Sequence, residues 1–364
     1  MGEGNAHAAA AANARPGTVL VAGAGGVIGG YAAAEYARQP GWRVRALSRR
    51  RPVDAPAAVE HLAVDLLDAA AAADGLRAAA ADTTHLVFAA YAERLDLDEQ
   101  VATNLALLRN VLDALRAGGA PLRHVTLYQG MKAYGAHLGP FKTPSDERDP
   151  RLLGPNFYYD QEDLLRERAA ADGWSWTILR PEGVIGHTVG TPMNLLLALV
   201  AYAAICQETG VPLRFPGTAR AYDALYQVSD AELLARATVW SGGSEAARGE
   251  VFNVTNGDVF RWRQLWPRLA DAFGLEIADP QPLDLPSHMR GKGGIWRERV
   301  RRRGLRDTPW EQVVDWRFGQ FILGSEDDNI SNTTKLRRAG FHDCYDTLDR
   351  MSEWFRRLQD DRVV

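Results

Sequence analysis

The chain has 364 residues, enough for one large domain with an appended lobe or for two domains. Hydrophobic residues make up 46% and charged residues 24%, an ordinary globular balance. The formal net charge of −4 argues against a general nucleic-acid or anionic-membrane binder, since either usually needs a net positive surface.

Residues 1–16 lack the charged start and continuous apolar core of a secretory leader and read as a disordered tail. From residue 17 the pattern alternates between short β-branched runs and longer amphipathic stretches. Strands are predicted at 18–22, 43–47, 61–64, 85–89, 124–128 and 175–179, with helices between them, among these 27–38, 69–81 and 99–117. Strands separated by helix-length segments imply right-handed crossovers and an α/β, doubly wound parallel sheet. After Arg180-Pro181 the alternation stops. The segments that follow are mostly helical (193–208, 230–240, 262–273, 296–303), with short strands near 213–215 and 251–254. The expected division is therefore a Rossmann domain over 17–186 and a smaller, mostly helical substrate lobe over 187–364. Six of the ten tryptophans fall between 240 and 316 and predict a small hydrophobic core there.

The segment TVLVAGAGGVIGG puts Gly23, Gly26 and Gly29 directly after the first strand and at the start of a helix. Glycine allows the tight turn and the close approach of a pyrophosphate, whose charge the helix N-terminus favours. At the end of the second strand, where a carboxylate would bind a ribose 2′-hydroxyl, the chain has Ser48-Arg49-Arg50. Two guanidinium groups suit a 2′-phosphate, so NADP(H) is the expected cofactor. The plainer reading of Arg49 and Arg50 is a solvated surface pair. Asp65, after the third strand, suits an adenine amino group or a helix cap ahead of Ala69, and both readings stand.

Short-chain reductases on this fold usually carry Tyr-x-x-x-Lys on one helix, the lysine lowering the tyrosine pKa and holding the nicotinamide ribose. Here Glu162 follows Tyr158 by four residues and Asp163 follows Tyr159. Of the four lysines, Lys132 comes soon after the fifth strand, from which it can reach the ribose on a different element; a surface loop lysine is the alternative.

The strings TLYQGMKAYG, PNFYYDQEDLL, WSWTILRP, AYAAICQETG, FNVTNGDVF and DWRFGQFILG resemble the progesterone 5β-reductase and iridoid synthase-like family of atypical extended short-chain dehydrogenases. The resemblance runs from about residue 17 to the C-terminus. It implies that Tyr158 and Lys132 form the active pair, with Lys132 biasing the phenol electrostatically. It places cofactor contacts at Gly25, Gly26, Val27, Arg49, Arg50, Asp65, Leu66, Ala90, Tyr128, Val184 and Met193. The implied reaction is reduction of the activated C=C bond of an enone or enal, with Tyr158 stabilising the enolate oxygen. Tyr128-Gln129 stands where the family commonly has Gln-Thr, and Ala90-Tyr91 where it has Thr-Trp; both changes touch the nicotinamide end. Tyr91, Phe141, Met193, Tyr202, Trp316 and Phe318 form an apolar set suited to a small hydrophobic enone or enal, core packing being the other reading of each.

Two further functions fit the architecture: a nucleotide-sugar epimerase or dehydratase, and a non-catalytic NADP-binding redox sensor. The missing Tyr-x-x-x-Lys weighs against the first and the NFYY string against the second. Cys206 and Cys344 form no framework, which fits a reducing compartment, and a cytoplasmic protein is expected. Cys206 reads as a small buried hydrophobe. The histidines show no metal-ligand spacing, so no metal is expected. The apolar run 195–206 is too short to span a bilayer and reads as a buried helix. The run Arg297, Arg299, Arg301, Arg302, Arg303 reads as a solvated helix face. No nucleic-acid or membrane partner is expected, and a homodimer is left open.

Overall fold

The computed structural model describes residues 15–52, 55–188 and 191–364; most of the expected N-terminal tail lies outside them. Strand β1 (Thr18–Ala22, TVLVA) has all five residues buried, as a strand covered on both faces must be. Around it assemble β2 (Arg43–Ser48), β3 (Glu60–Ala63), β4 (Thr83–Phe88), β5 (His124–Tyr128), β6 (Ser175–Pro181) and β7 (Glu250–Val254). Their spatial order is β7-β6-β5-β4-β1-β2-β3. Every pairing in this sheet is parallel, with Ala22 opposite both Leu47 and Phe88. Chain order reverses between β1 and β4, which makes the crevice beyond their carboxyl ends the switch point where such sheets bind ligands.

Helices α1 (Val27–Arg38), α2 (Ala69–Ala80), α3 (Leu97–Ala117), α4 (Phe157–Asp172) and α5 (Ala231–Gly243) flank the sheet. Leu20, Ala22, Leu86, Phe88, Val125 and Leu127 share one core with apolar residues of α2, α3 and α4. The alternate residues of β5 face the other way: Thr126 hydrogen-bonds Ser241 at 3.3 Å and the Tyr128 hydroxyl bonds Thr238, both on α5. Side-chain caps start three of the helices: Asp68 for α2, Asp96 for α3 and Asn156 for α4. Asp96 sets the start of α3 two residues earlier than the expected 99, because its carboxylate accepts the Glu99 N–H at 2.8 Å.

The chain divides into two units. The first comprises the described residues of Met1–Glu182 with Ala231–Val254 and Asn332–Asp343. The expected boundary at 186 therefore does not describe a single cut. Segment 231–254 supplies α5 and the seventh strand, and Trp240 packs there against Phe252 and Phe341.

The second unit comprises Gly183–Asp230, Thr255–Ser331 and Cys344–Val364. Its helix Leu195–Thr209 is buried continuously from Leu195 to Cys206. Phe215, Tyr222, Trp262 and Trp266 pack into an aromatic core. The arginine run on helix Gly293–Arg303 is only partly a solvated face. Arg297, Arg301, Arg302 and Arg303 are exposed, but Arg299 is buried and paired with Glu208 at 2.6 Å, since a buried guanidinium needs a partner. Among the described residues, no helix is long and apolar enough to cross a membrane.

Candidate active site

The glycine loop is tight on its protein side and open on the other. Gly23 has φ +81°, and a Cβ there would sit 2.6 Å from the backbone of Ala89 and Ala90. A Cβ on Gly29 would sit 2.4 Å from the Gly23 carbonyl oxygen, so the first turn of α1 packs on the loop only because neither residue has a side chain. At Gly25 the nearest atom to an added Cβ is Ser48 Cβ at 3.7 Å. Val27 opens α1, whose cap residue Gly26 has no side chain to satisfy the first N–H groups. That donor set fits a pyrophosphate.

Beyond β2, His61 Nε2 lies 3.1 Å from both the Ser48 hydroxyl and the Ser48 carbonyl, fixing the turn that carries Arg49 and Arg50. Both arginines are exposed, and no ion pair ties either to another described residue. Arg45, by contrast, is buried and held by Glu60 and Asp82. Asp65 is exposed and accepts the Leu67 N–H at 3.0 Å. It does not cap the helix ahead of Ala69; Asp68 does, accepting the N–H groups of Ala70 and Ala71 at 3.0 Å. Leu66 is buried and its carbonyl accepts from Asn110 at 2.8 Å. Tyr128 sends its hydroxyl away to Thr238, so toward the switch-point crevice it offers backbone only.

Past β5 the chain enters a short 3₁₀ turn, Met131–Tyr134, which carries Lys132. Tyr158 lies on the first turn of α4. One residue joins the two: Asn156 accepts the Tyr158 N–H at 3.1 Å and donates to the Lys132 carbonyl at 2.8 Å. Tyr159 adds a second tie, its hydroxyl donating to the Ala133 carbonyl at 2.8 Å. The Lys132 ammonium sits 5.9 Å from the Tyr91 ring centroid, and no hydrogen bond or ion pair joins it to Tyr158.

Beneath this pair lies a buried polar network. Arg180, at the end of β6, donates Nε to Gln129 Oε1 at 2.7 Å and Nη1 to the Tyr134 hydroxyl at 3.0 Å. Its Nη2 meets Glu162 at 3.4 Å. Gln129 passes the bond on to the Tyr158 carbonyl at 2.9 Å, and Tyr134 donates to Asn253 at 2.7 Å. Glu162 also receives Arg166 at 2.8 Å. Burial pushes the Tyr134 phenol up to about 12 against the opposing pull of Arg180. Burial is also the largest influence on Tyr158, raising its pKa; Glu93 raises it further and Arg180 lowers it. Asn156, Gln129 and Arg180 were not singled out as site residues from sequence. A charged residue closing the apolar strand WTILRP was the available signal.

Of the expected pocket residues, Tyr91 stands beside Phe157 with centroids 5.5 Å apart, and Phe157 beside Tyr158 at 4.3 Å. The Tyr91 hydroxyl donates to Glu93 and accepts from Gln100 at 2.6 Å. Ala90 lies against Gly23, and Phe141 is half-buried in the loop after the 3₁₀ turn. Val184, Met193, Tyr202, Trp316 and Phe318 belong to the second unit. There Val184 sits on a short strand paired with Val228–Asp230, and Met193 is exposed. Tyr202 is buried, its hydroxyl consumed by the Arg214 carbonyl at 3.0 Å, which makes it a packing residue of that unit. Trp316 is buried against Trp310 at 5.5 Å, and Phe318 is half-buried. Burial pushes the Cys206 thiol up to about 11, unsuited to a nucleophile.

A family model described as a PRISE-like Rossmann-fold domain matches residues 63–363. The chain belongs to the PRISE family. It is 36% identical over 351 residues to the (S)-8-oxocitronellyl enol synthase CYC2 of Camptotheca acuminata, covering 90% of this chain and 89% of that protein. It is 33% identical over 363 residues to the 3-oxo-Delta(4,5)-steroid 5-beta-reductase of Arabidopsis thaliana, covering 95% and 92%. A UDP-glucose 4-epimerase structure from Thermotoga maritima superposes with TM-score 0.65 over 94% of this chain and 99% of that one, at 16% identity, a likeness of fold alone. As a PRISE chain it is an oxidoreductase of the short-chain dehydrogenase/reductase superfamily.

Proposed function

We propose that this PRISE protein is an NADPH-dependent reductase of the C=C bond of small, hydrophobic α,β-unsaturated carbonyl compounds. The observation that carries the reading is the Asn156 clamp, which holds Tyr158 and the Lys132 turn together beyond β5 with no Tyr-x-x-x-Lys on α4. The name of the steroid 5-beta-reductase relative specifies an enone, a 3-oxo-Δ4,5-steroid, and so supports the same substrate class. The open glycine loop, and Arg49 and Arg50, which no ion pair ties to another described residue, support NADP(H) over NAD(H).

Bound NADPH supplies a hydride for the β-carbon. The protein's task is the carbonyl oxygen, where negative charge grows. The Tyr158 hydroxyl stays protonated because burial disfavours its anion, so it is a hydrogen-bond donor poised for an enolate oxygen. In this reading Lys132 holds the nicotinamide ribose, and the apolar wall of Tyr91 and Phe157 keeps water from the enolate. The two unpaired cysteines suit a reducing compartment, and we read the protein as cytoplasmic.

The test is NADPH oxidation by the purified protein with a cyclic enone, a dienone steroid and a small enal, with product analysis. A saturated carbonyl product is expected, and Tyr158→Phe is expected to lower turnover by roughly 10²-fold or more while leaving NADPH binding intact. Full activity in that variant would sink the assignment of Tyr158. Replacing Arg49 and Arg50 by Ala together should weaken NADPH by roughly tenfold or more and NADH little. Equal weakening would remove the case for NADP.

A further inference from the structure

A tyrosine that must donate strongly to an oxyanion needs a nearby positive charge, and the usual source four residues along the helix is absent. That place holds Glu162, buried and engaged by Arg166 and Arg180. We propose that Arg180 is a positioning residue for Tyr158, fixing the first turn of α4 through the Gln129 side chain and supplying from β6 the positive charge that a lysine on the same helix would supply.

Three observations carry this. Arg180 is buried and spends all three of its nitrogens on the network: Nε on Gln129, Nη1 on Tyr134 and Nη2 on Glu162. Gln129 relays that fixity to the Tyr158 carbonyl at 2.9 Å. Gly130, the next residue, lies so close that an added Cβ would be 3.3 Å from the Tyr158 hydroxyl. The network and the phenol therefore share one short stretch of backbone. The charged and titratable groups carried by the elements around α4's first turn are Glu93 and Tyr91 after β4, Lys132 after β5, Glu162 on α4 and Arg180 on β6. Of these, Glu93 raises the pKa of the Tyr158 phenol and Arg180 lowers it. The guanidinium fork matters as well as the charge, since its three nitrogens hold three partners in a fixed plane that a single ammonium on a flexible stem does not reproduce.

The inference rests on Tyr158 being the hydrogen-bond donor to the enolate oxygen proposed above, but the first test needs no turnover. A fluorinated tyrosine, whose phenol titrates lower than that of tyrosine, is placed at position 158 in the full chain, and its ¹⁹F shift is followed against pH. Arg180→Gln is expected to raise the midpoint, and Arg180→Lys to raise it by less. Because Arg180→Gln leaves Glu162 with less counter-charge, the double variant Arg180→Gln/Glu162→Gln provides a form with no unpaired buried carboxylate. Its midpoint should also lie above that of Glu162→Gln alone. A midpoint unmoved in the double variant overturns the proposal, whatever the substrate proves to be. In turnover, Arg180→Lys should lower kcat by about tenfold with little change in the KM for NADPH; loss confined to KM would also overturn it.

Discussion

Asn156 makes two bonds that different substitutions cut separately. Its amide oxygen caps α4 by accepting the Tyr158 N–H at 3.1 Å, and its amide nitrogen donates to the Lys132 carbonyl at 2.8 Å. Asn156→Ala removes both. Loss of an N-cap costs about 1 kcal/mol, and loss of a part-buried hydrogen bond costs about 1 kcal/mol more, so destabilisation of about 2 kcal/mol is expected. Asn156→Asp keeps the cap, and its charge at the helix N-terminus contributes about 0.5 kcal/mol. A carboxylate cannot donate, so the Lys132 carbonyl loses its partner in both variants. The Asp protein should thus unfold within about 1 kcal/mol of the native protein yet share the catalytic defect of the Ala protein. That defect is about tenfold in turnover, or about 1.4 kcal/mol in the barrier, because small displacements of a reacting pair are expensive. Urea unfolding read by circular dichroism gives the first quantity and NADPH oxidation with the best enone the second. If Asn156→Asp restores turnover along with stability, the clamp on Lys132 does nothing for catalysis and Asn156 is only a cap.

Two other predictions concern stability and cofactor binding. His85 and His124 are buried neighbours with ring centroids 6.2 Å apart. Burial depresses them to about 4 and about 3, and Arg123 and Arg248 act in the same direction. The unfolded chain, with histidines near 6.5, then binds more protons than the folded one below that pH, so folding is favoured above pH 6.5 and weakened as pH falls toward 4. At pH 5 the loss is about 2 kcal/mol for either ring taken alone. A flat urea midpoint between pH 7.5 and 5 would contradict it. Separately, Gly29→Ala drives a Cβ to 2.4 Å from the Gly23 carbonyl oxygen and should destabilise by about 1–3 kcal/mol and abolish NADPH binding. Gly25→Ala, open to 3.7 Å, should fold normally and weaken only the cofactor; normal NADPH affinity in Gly25→Ala would mean that the pyrophosphate does not lie there.

What could be read in advance followed from where each signal is local. β1 is buried along its whole length and its apolar run VLVA marks it; β5 is buried too, but His124 and Thr126 interrupt it, and its β-branched residues mark it instead; α1 is marked by the glycines before it. The sheet's last strand was recognisable as a strand, but not as part of this sheet: β7 pairs with β6 across some seventy residues, Thr177 opposite Glu250, and no short-range pattern encodes that partner. The proposed active pair shows the same limit. The resemblance points to Tyr158 and Lys132, whereas the residues that hold their backbone are scattered over 129, 156, 162 and 180 and look individually unremarkable. In the sequence Glu162 is only the residue that stands where Tyr-x-x-x-Lys has its lysine. In the fold it is a carboxylate that pairs with Arg180 at 3.4 Å, so the missing lysine and the buried arginine belong to one network. A buried Arg–Glu pair is weak evidence for stability, because desolvation offsets most of its attraction. Its bond through Gln129 to the Tyr158 carbonyl is what makes a role in positioning the phenol the better explanation of why the charges are buried here.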